Sequence, residues 1–381
     1  MAPIDFKLAR SIAKEEIDED IASYRVTVDG KPYLPFRMVD SQREETVQAI
    51  VAELFGLSNQ ESMKVRPILG GNTNRLFLVS NILSDDNEIP SSVLVRVFGG
   101  EGMIERDSET STFAALASQG IAPKYYGRFG NGRLEEWHDN LKHLEVDDFS
   151  KPELSLKIAK SLGKMHKEFI IPDSLKDHHD PNQPPTLWTQ VKEWLDQALL
   201  STFKTSFDTE RATALELHKL KEELIWLQSD VVSPDCKVGF CHNDLLAANV
   251  LAGDDKIQLI DFEYGGINYL SYDIANHFNE FAGGTDPDAT PDYSKFPSPQ
   301  LQRDFVTEYL VTMSATMPTE EEIDTLLKEI KGFVMANHLV WGLWGINQAA
   351  TEGCDVFDYM KYGTYRIQEY YKVKNEWTKS I

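Results

Sequence analysis

The sequence has little cysteine, little positive charge and no uninterrupted membrane-length apolar run. Its three cysteines, Cys236, Cys241 and Cys354, are odd in number and lack metal-ligand spacing. Neither a disulfide framework nor a thiolate metal site is expected, and a reducing, cytoplasmic location suits them. The opening residues MAPIDFKLAR contain no apolar core, so no secretory signal is expected. Lys and Arg number 38 against 61 Asp and Glu, a formal charge of −23. A nucleic-acid partner needs a basic face, which this balance argues against. An acidic field favours cationic ligands, and a polyphosphate would need a local basic clamp and a divalent cation. The stretch 332–351 carries no charge and is long enough to span a bilayer, but Asn337, His338, Asn347 and Gln348 interrupt it. Each is costly among lipid tails, so a buried helix is expected and no membrane span.

What is present reads as an ordinary globular chain. Hydrophobic residues make up 41% and charged residues 26% of 381 positions, enough for two or three packed units. Val47, Ile50, Val51, Leu54 and Phe55 keep helical spacing over 42–55, and Gly56 is a natural stop. RLFLVSN at 75–81 and SVLVRVF at 92–98 read as strands joined across SDDNEIP. A helix through Phe113, Leu116 and Ala117 runs to Gly120, and strands follow near 124–127 and 133–137. The pattern predicts a sheet-bearing lobe with an N-terminal helical extension over 1–138. A larger, mainly helical lobe is expected over 139–381. In it Ile158, Leu162, Met165 and Phe169 keep helical spacing, as do Leu217, Leu220, Leu224 and Leu227. Segments 171–185 and 283–299 read as surface loops.

Chemistry concentrates in FCHNDLLAANVLAGDDKIQLIDFEY, residues 240–264. Gly253-Asp254-Asp255 is a turn signal between two short apolar runs. A turn centred on Asp254 and Asp255 places Asn249 opposite Ile260, one residue from Asp261. Cross-strand neighbours lie about 5 Å apart, close enough for an amide oxygen and a carboxylate to share one hard cation such as Mg²⁺. His242, Asp244 and Asn249 match the H-x-D-x-x-x-x-N catalytic loop of kinases, and Asp261 stands where the metal-binding aspartate of D-F-G would. Solvated turn acids are the plain alternative, and the two halves in correct order argue against it. Upstream, Gly70, Gly71, Asn72, Thr73 and Asn74 precede a strand and could present backbone amides to phosphates. A glycine-rich turn of no function reads the same way. Arg96 is a lone cation in VLVRVF. A buried charge there needs a partner, and Glu109 on the following helix is the expected one. An edge-strand arginine facing solvent is the alternative.

These motifs resemble the choline/ethanolamine kinase family. The likeness runs from about Pro67 to Lys374 through GGNTN, VLVRVFG, GRLEEW, HNDLLAANVL, YDIANHFNEFAG and HLVWGLWGINQA. It implies an α+β, protein-kinase-like two-lobed fold and Mg²⁺- and ATP-dependent phosphorylation of an amino alcohol. By resemblance Asp244 is the catalytic base, Asn249 and Asp261 hold Mg²⁺, Arg96 meets the ATP phosphates, and Glu136 lies near the adenine. Trp341 and Trp344 are three apart, as are Tyr359 and Tyr362, and aromatic faces attract an organic ammonium. Core packing explains any one of them equally well; the resemblance puts Trp341, Trp344 and Tyr362 around the ammonium, with Glu280 adding charge. HND-Leu-Leu and NHFNEFAG resemble the ethanolamine branch, so ethanolamine is the expected acceptor and phosphoethanolamine, a phospholipid head-group precursor, the product. Asn279 is expected to add polarity beside a carboxylate. Choline is the alternative acceptor, and the resemblance allows a homodimer. An aminoglycoside-type phosphotransferase and an inactive kinase-fold scaffold are the rival readings.

Overall fold

In the computed structural model, which describes residues 24–68, 74–99, 105–180, 182–285 and 290–380, the chain divides into two units, Met1–Leu141 and Lys142–Ile381. The first contains β1 (Val26–Val28), β2 (Lys31–Leu34), α1 (Glu44–Phe55), β3 (Lys64–Ile68), β4 (Asn74–Ser80), β5 (Ser92–Phe98), α2 (Arg106–Ser118), β6 (Tyr125–Phe129) and β7 (Gly132–Glu136). Its seven strands lie in the order β1-β2-β6-β7-β5-β4-β3. Only β2 and β6 run parallel. The helical spacing of α1 turns Val47, Ile50, Val51 and Leu54 into a core shared with Val79, Val93, Val95 and Leu134. Each such fully buried aliphatic side chain contributes about 1.5–3 kcal/mol. Gly56 ends α1 with φ 69, a left-handed conformation that glycine adopts without a Cβ penalty.

The second unit contains β8 (Lys142–His143), α3 (Pro152–Glu168), α4 (Thr186–Leu200), α5 (Ser206–Ala214), α6 (Leu220–Trp226), β9 (Val238–Cys241), β10 (Val250–Ala252), β11 (Ile257–Leu259), β12 (Gly266–Tyr269), α7 (Leu270–Asn279), α8 (Pro299–Ser314), α9 (Glu320–Thr351) and α10 (Tyr359–Ser380). The sequence reads one helix through Leu217–Leu227, but the chain makes a 3-10 turn at Leu217–Lys219, then α6, then a π-turn at Leu227–Val231. Glu216, left-handed at φ 48, starts that segment afresh. Leu217, Leu220 and Leu227 are nevertheless all buried, so the apolar spacing is satisfied without one continuous helix. The charge-free stretch lies within α9, whose start is fixed by a capping box between Thr319 and Glu322. No helix among the described residues is long and apolar enough to cross a membrane.

Candidate active site

The loop between β9 and β10 is held from below by α7. Strands β10 and β11 pair antiparallel from Val250↔Leu259 to Ala252↔Ile257. The Gly253 N–H closes the turn on the Lys256 carbonyl, and the Ile260 N–H donates to the Asn249 carbonyl at 3.0 Å. The turn therefore falls on Asp254 and Asp255, and Asn249 sits opposite Ile260. Asp273 on α7 accepts the His242 N–H at Oδ2 and the Asn243 N–H at Oδ1, both at 2.7 Å. One turn further along, Asn276 Oδ1 accepts the Leu245 N–H at 2.5 Å. Three loop amides flanking Asp244, those of His242, Asn243 and Leu245, are thus pinned to one buried helix face. Sequence reasoning passed over Asp273 and Asn276; the D-x-x-N spacing on a helix face was the available signal. His166 Nε2 meets Asp273 Oδ2 at 3.0 Å while its Nδ1 meets the Tyr309 hydroxyl at 2.9 Å. His166, Cys241 and Asp273 lie within metal-ligand reach of one another, but the carboxylate and both ring nitrogens are committed to these bonds, so the cluster is structural.

His242 is neutral: burial, the largest cause, pushes its pKa down. Its Nε2 faces the Ile260 carbonyl at 2.8 Å and its Nδ1 faces the Asp244 N–H at 3.3 Å, which assigns the proton to Nε2. The ring thereby ties the catalytic-loop backbone to the residue before Asp261. Asn243 and Asp261 adopt φ 68 and φ 63, left-handed conformations that non-glycine residues take only when their surroundings hold them. For Asn243 the holding groups are the Tyr264 carbonyl at 2.9 Å and the Asn268 amide at 2.8 Å.

Asn249 Nδ2 donates to the Asp244 carbonyl at 2.8 Å and to Asp244 Oδ2 at 3.0 Å. Its nitrogen is therefore spent, and its amide oxygen is the atom left for a cation. That oxygen and the Asp261 carboxylate are hard donors, a set that fits Mg²⁺. Asp244 itself is 8% exposed. Burial first, and then the charges of Glu280, Asp261 and Glu263, push its carboxyl well above the usual range. A raised carboxyl pKa is what a proton acceptor working near neutrality needs. Glu263 is an acid of the site that sequence reasoning missed, although it stands two residues after Asp261 in I-D-F-E.

Aromatic rings stand beside these acids. The Tyr264 ring lies 5.3 Å from Trp341, and its hydroxyl accepts the Trp344 indole N–H at 3.0 Å. Trp344 in turn lies 5.5 Å from Trp341, 5.5 Å from Tyr359 and 5.9 Å from Tyr362. The box depends on a close helix crossing. A Cβ added at Gly345 of α9 would meet backbone atoms of Gly363 and Tyr359 of α10 at 2.9 Å, so only glycine lets the tryptophan helix approach the tyrosine helix. Asp244, Asn249, Glu280, Trp341, Trp344 and Tyr362 all lie in this second unit with Asp261. Glu280 is not a free charge: it pairs with the buried Arg366 of α10. Asn279 does not serve the acids either. Its Nδ2 donates to the Val334 carbonyl at 3.2 Å and to Asn337 Oδ1 at 2.8 Å, because the helical phase of α7 turns it toward α9.

The first unit carries its own buried charge chain. Arg96, Arg133 and Arg128 lie opposite one another across β5, β7 and β6, which would repel if unpaired. The expected Arg96–Glu109 pair is not what holds them. Arg96 Nε meets Glu135 Oε1 at 2.7 Å, Arg133 Nε meets the same oxygen at 2.7 Å, and Arg133 Nη1 takes Glu109 Oε1 at 2.6 Å. Glu135 wins Arg96 because it shares the sheet face at cross-strand distance, while α2 delivers Glu109 over Arg133. Burial works against the Glu135 charge, but Arg96 and Arg133 outweigh it and hold its carboxyl below the usual range. Glu136 ends β7 with its N–H on the Lys124 carbonyl and its Oε2 on the Lys124 N–H. Asn74, buried, opens β4 opposite Phe98. Gly70, Gly71, Asn72 and Thr73 lie outside the described residues.

Comparison with known proteins names this arrangement. The family model for choline/ethanolamine kinase matches residues 65–371. The chain belongs to the choline/ethanolamine kinase family. Probable choline kinase 3 of Arabidopsis thaliana is 34% identical over 319 residues, covering 82% of this chain and 86% of that protein. Ethanolamine kinase 1 of Mus musculus is 32% identical, covering 94% and 98%. Among solved structures, a choline kinase from Cryptosporidium parvum aligns with a TM-score of 0.73 at 24% identity, over 89% of this chain and 97% of that one. Plasmodium vivax ethanolamine kinase aligns with a TM-score of 0.71 at 26% identity, over 86% and 89%. The fold of this family member is accordingly protein-kinase-like, the enzyme is a kinase, and ATP and Mg²⁺ are its cofactors. Relatives at closely similar identity carry both substrate names, so membership fixes the class of acceptor, a small amino alcohol.

Proposed function

We propose that this kinase phosphorylates ethanolamine, in the cytoplasm, with Asp244 as the base. The observation that carries the reading is the buried carboxylate of Glu280, joined through Arg366 to Tyr362 in the ring wall that Trp344 and Trp341 continue. A primary ammonium has three N–H donors and needs acceptors as well as aromatic faces, each face being worth about 0.5–2 kcal/mol. The pairing of acids with rings meets both needs. Three unpaired thiols suit the reducing compartment.

In this scheme Asp244 Oδ2 keeps its bond from Asn249, and its other carboxylate oxygen takes the proton of the acceptor hydroxyl as the hydroxyl oxygen bonds the γ-phosphorus and the bond from that phosphorus to ADP breaks. Asp273 and Asn276 hold the loop so that Asp244 needs no rearrangement. Asn249 and Asp261 would hold Mg²⁺, which would supply charge neutralisation at the phosphates. Arg96, fixed by Glu135, is the cation we assign to the nucleotide phosphates. Choline is the second reading, favoured by the edge-to-face ring box, which suits a trimethylammonium without any N–H. The deciding experiment compares kcat/KM for ethanolamine, its N-methylated forms and choline. A ratio that rises with methylation overturns the ethanolamine reading.

A further inference from the structure

Arg366 lies buried behind Glu280 and Tyr362 rather than at the surface. It is 1% exposed and uses its donors on three elements at once. Nη2 pairs with Glu280, at the end of α7. Nε and Nη2 reach the Tyr362 hydroxyl oxygen at 3.0 and 2.9 Å, one turn earlier on α10. Nη1 faces His338 Nδ1 of α9 at 3.5 Å, and the guanidinium carbon lies 5.3 Å from the Tyr362 ring centre. The three elements it joins are those that supply the pocket its acid, its tyrosine and its tryptophans.

From this arrangement we infer that Arg366 is a positioning residue for the amine site: it fixes the Glu280 carboxylate and the Tyr362 ring in the orientation that receives the ammonium. The inference rests on the amino-alcohol kinase reading above. Burial disfavours the arginine charge, but Tyr362 and Glu280 outweigh it and raise its pKa. On its far side burial, then the charges of Arg366 and Lys372, push His338 well below its usual range, so a neutral imidazole faces the guanidinium and Glu280 is its counter-ion. Without Arg366, Glu280 would be a buried carboxylate facing the like charge of Asp244. With no counter-ion to hold it there it would swing away, which removes an acceptor from the ammonium. Lysine cannot replace it, since a point charge on a flexible stem cannot grip a carboxylate and a phenol oxygen together.

The test measures KM for the amino alcohol, KM for ATP, kcat and thermal midpoint in Arg366→Lys, Glu280→Gln and the double variant, with ethanolamine and choline each offered to the wild type. Arg366→Lys is expected to raise the amine KM about tenfold or more, as loss of a charge-assisted contact would, with kcat and the ATP KM within about threefold. In the Glu280→Gln background the same substitution should add less than it does alone, because part of its effect runs through Glu280 and the rest through Tyr362. An unchanged amine KM, or two substitutions whose effects simply multiply, overturns the inference even if kcat or stability falls. If Arg366→Lys does not fold, Tyr362→Phe substitutes: it leaves the ion pair and removes the gripped oxygen. An amine KM then unchanged against wild type overturns the inference in the same way. A wild type that phosphorylates neither amine sinks the functional reading first; a wild type active on either, with a KM indifferent to Arg366, sinks the inference alone.

Discussion

Replacing Asp273 with Asn tests whether the catalytic loop is held in place rather than merely present. The substitution keeps side-chain size but leaves one acceptor oxygen where two accepted the His242 and Asn243 amides. It also turns an NH₂ group toward buried N–H donors. One buried amide without a partner costs about 1–3 kcal/mol, and the remaining bond loses its charge assistance, worth about 1 kcal/mol more. Thermal unfolding should therefore show a loss of about 3 kcal/mol. Asp244 lies one residue beyond the freed amide, and a displacement of about 1 Å at a reacting group costs about 10²-fold in rate. The coupled ADP-release assay should show kcat reduced by about that factor, with the ATP KM little changed. An Asp273→Asn enzyme with wild-type kcat and an unshifted thermal midpoint would refute the idea that α7 positions the loop.

Other substitutions probe separate parts of the account. Asp244→Ala and Asp261→Ala should each reduce turnover by about 10²–10⁴-fold while circular dichroism and thermal midpoint report a folded protein; turnover near wild type in either removes it from the site. Glu135→Gln should destabilise the protein by about 3–5 kcal/mol, since it strips two buried arginines of a shared partner; a denaturant midpoint shifted by less than a quarter of that would mean the arginine chain is held otherwise. His277 is packed against Phe149 at 4.5 Å and Phe305 at 5.2 Å, and burial, the largest cause, lowers its pKa to about 4 from 6.5. The unfolded chain then binds the extra proton first, so this stability is complete above pH 6.5 and is lost as the pH falls toward 4, about 3 kcal/mol in all. His277→Phe should flatten the acid limb of a stability-versus-pH curve, and an unaltered limb would contradict the assignment.

Some of this architecture could be read directly from residue order. The turn signal Gly253-Asp254-Asp255 between two apolar runs defines the β10–β11 register, and α1 follows from apolar spacing alone. The partner of Arg96 could not be read that way. Two acids and three arginines compete, and the choice depends on β5 and β7 placing Arg96 opposite Arg133 with Glu135 two residues on. Asp273 and Asn276 look, in sequence, like the wet side of a helix; they are dry because the β9–β10 loop lies on them. Arg366 sits in YGTYRIQEYYKVK, where residue order gives no sign of burial, and its packing against α7 and α9 reveals a buried cation. Asn279 failed for the complementary reason: proximity along the chain to Glu280 says nothing about which face of α7 it occupies.

The central claim is chemical, and ³¹P NMR of the purified protein with Mg·ATP and ethanolamine tests it most directly. The account predicts a new phosphomonoester resonance that grows one-for-one with ADP in the wild type and is all but absent with Asp244→Asn. ADP appearing with inorganic phosphate instead, or a phosphomonoester formed equally fast by Asp244→Asn, would contradict it.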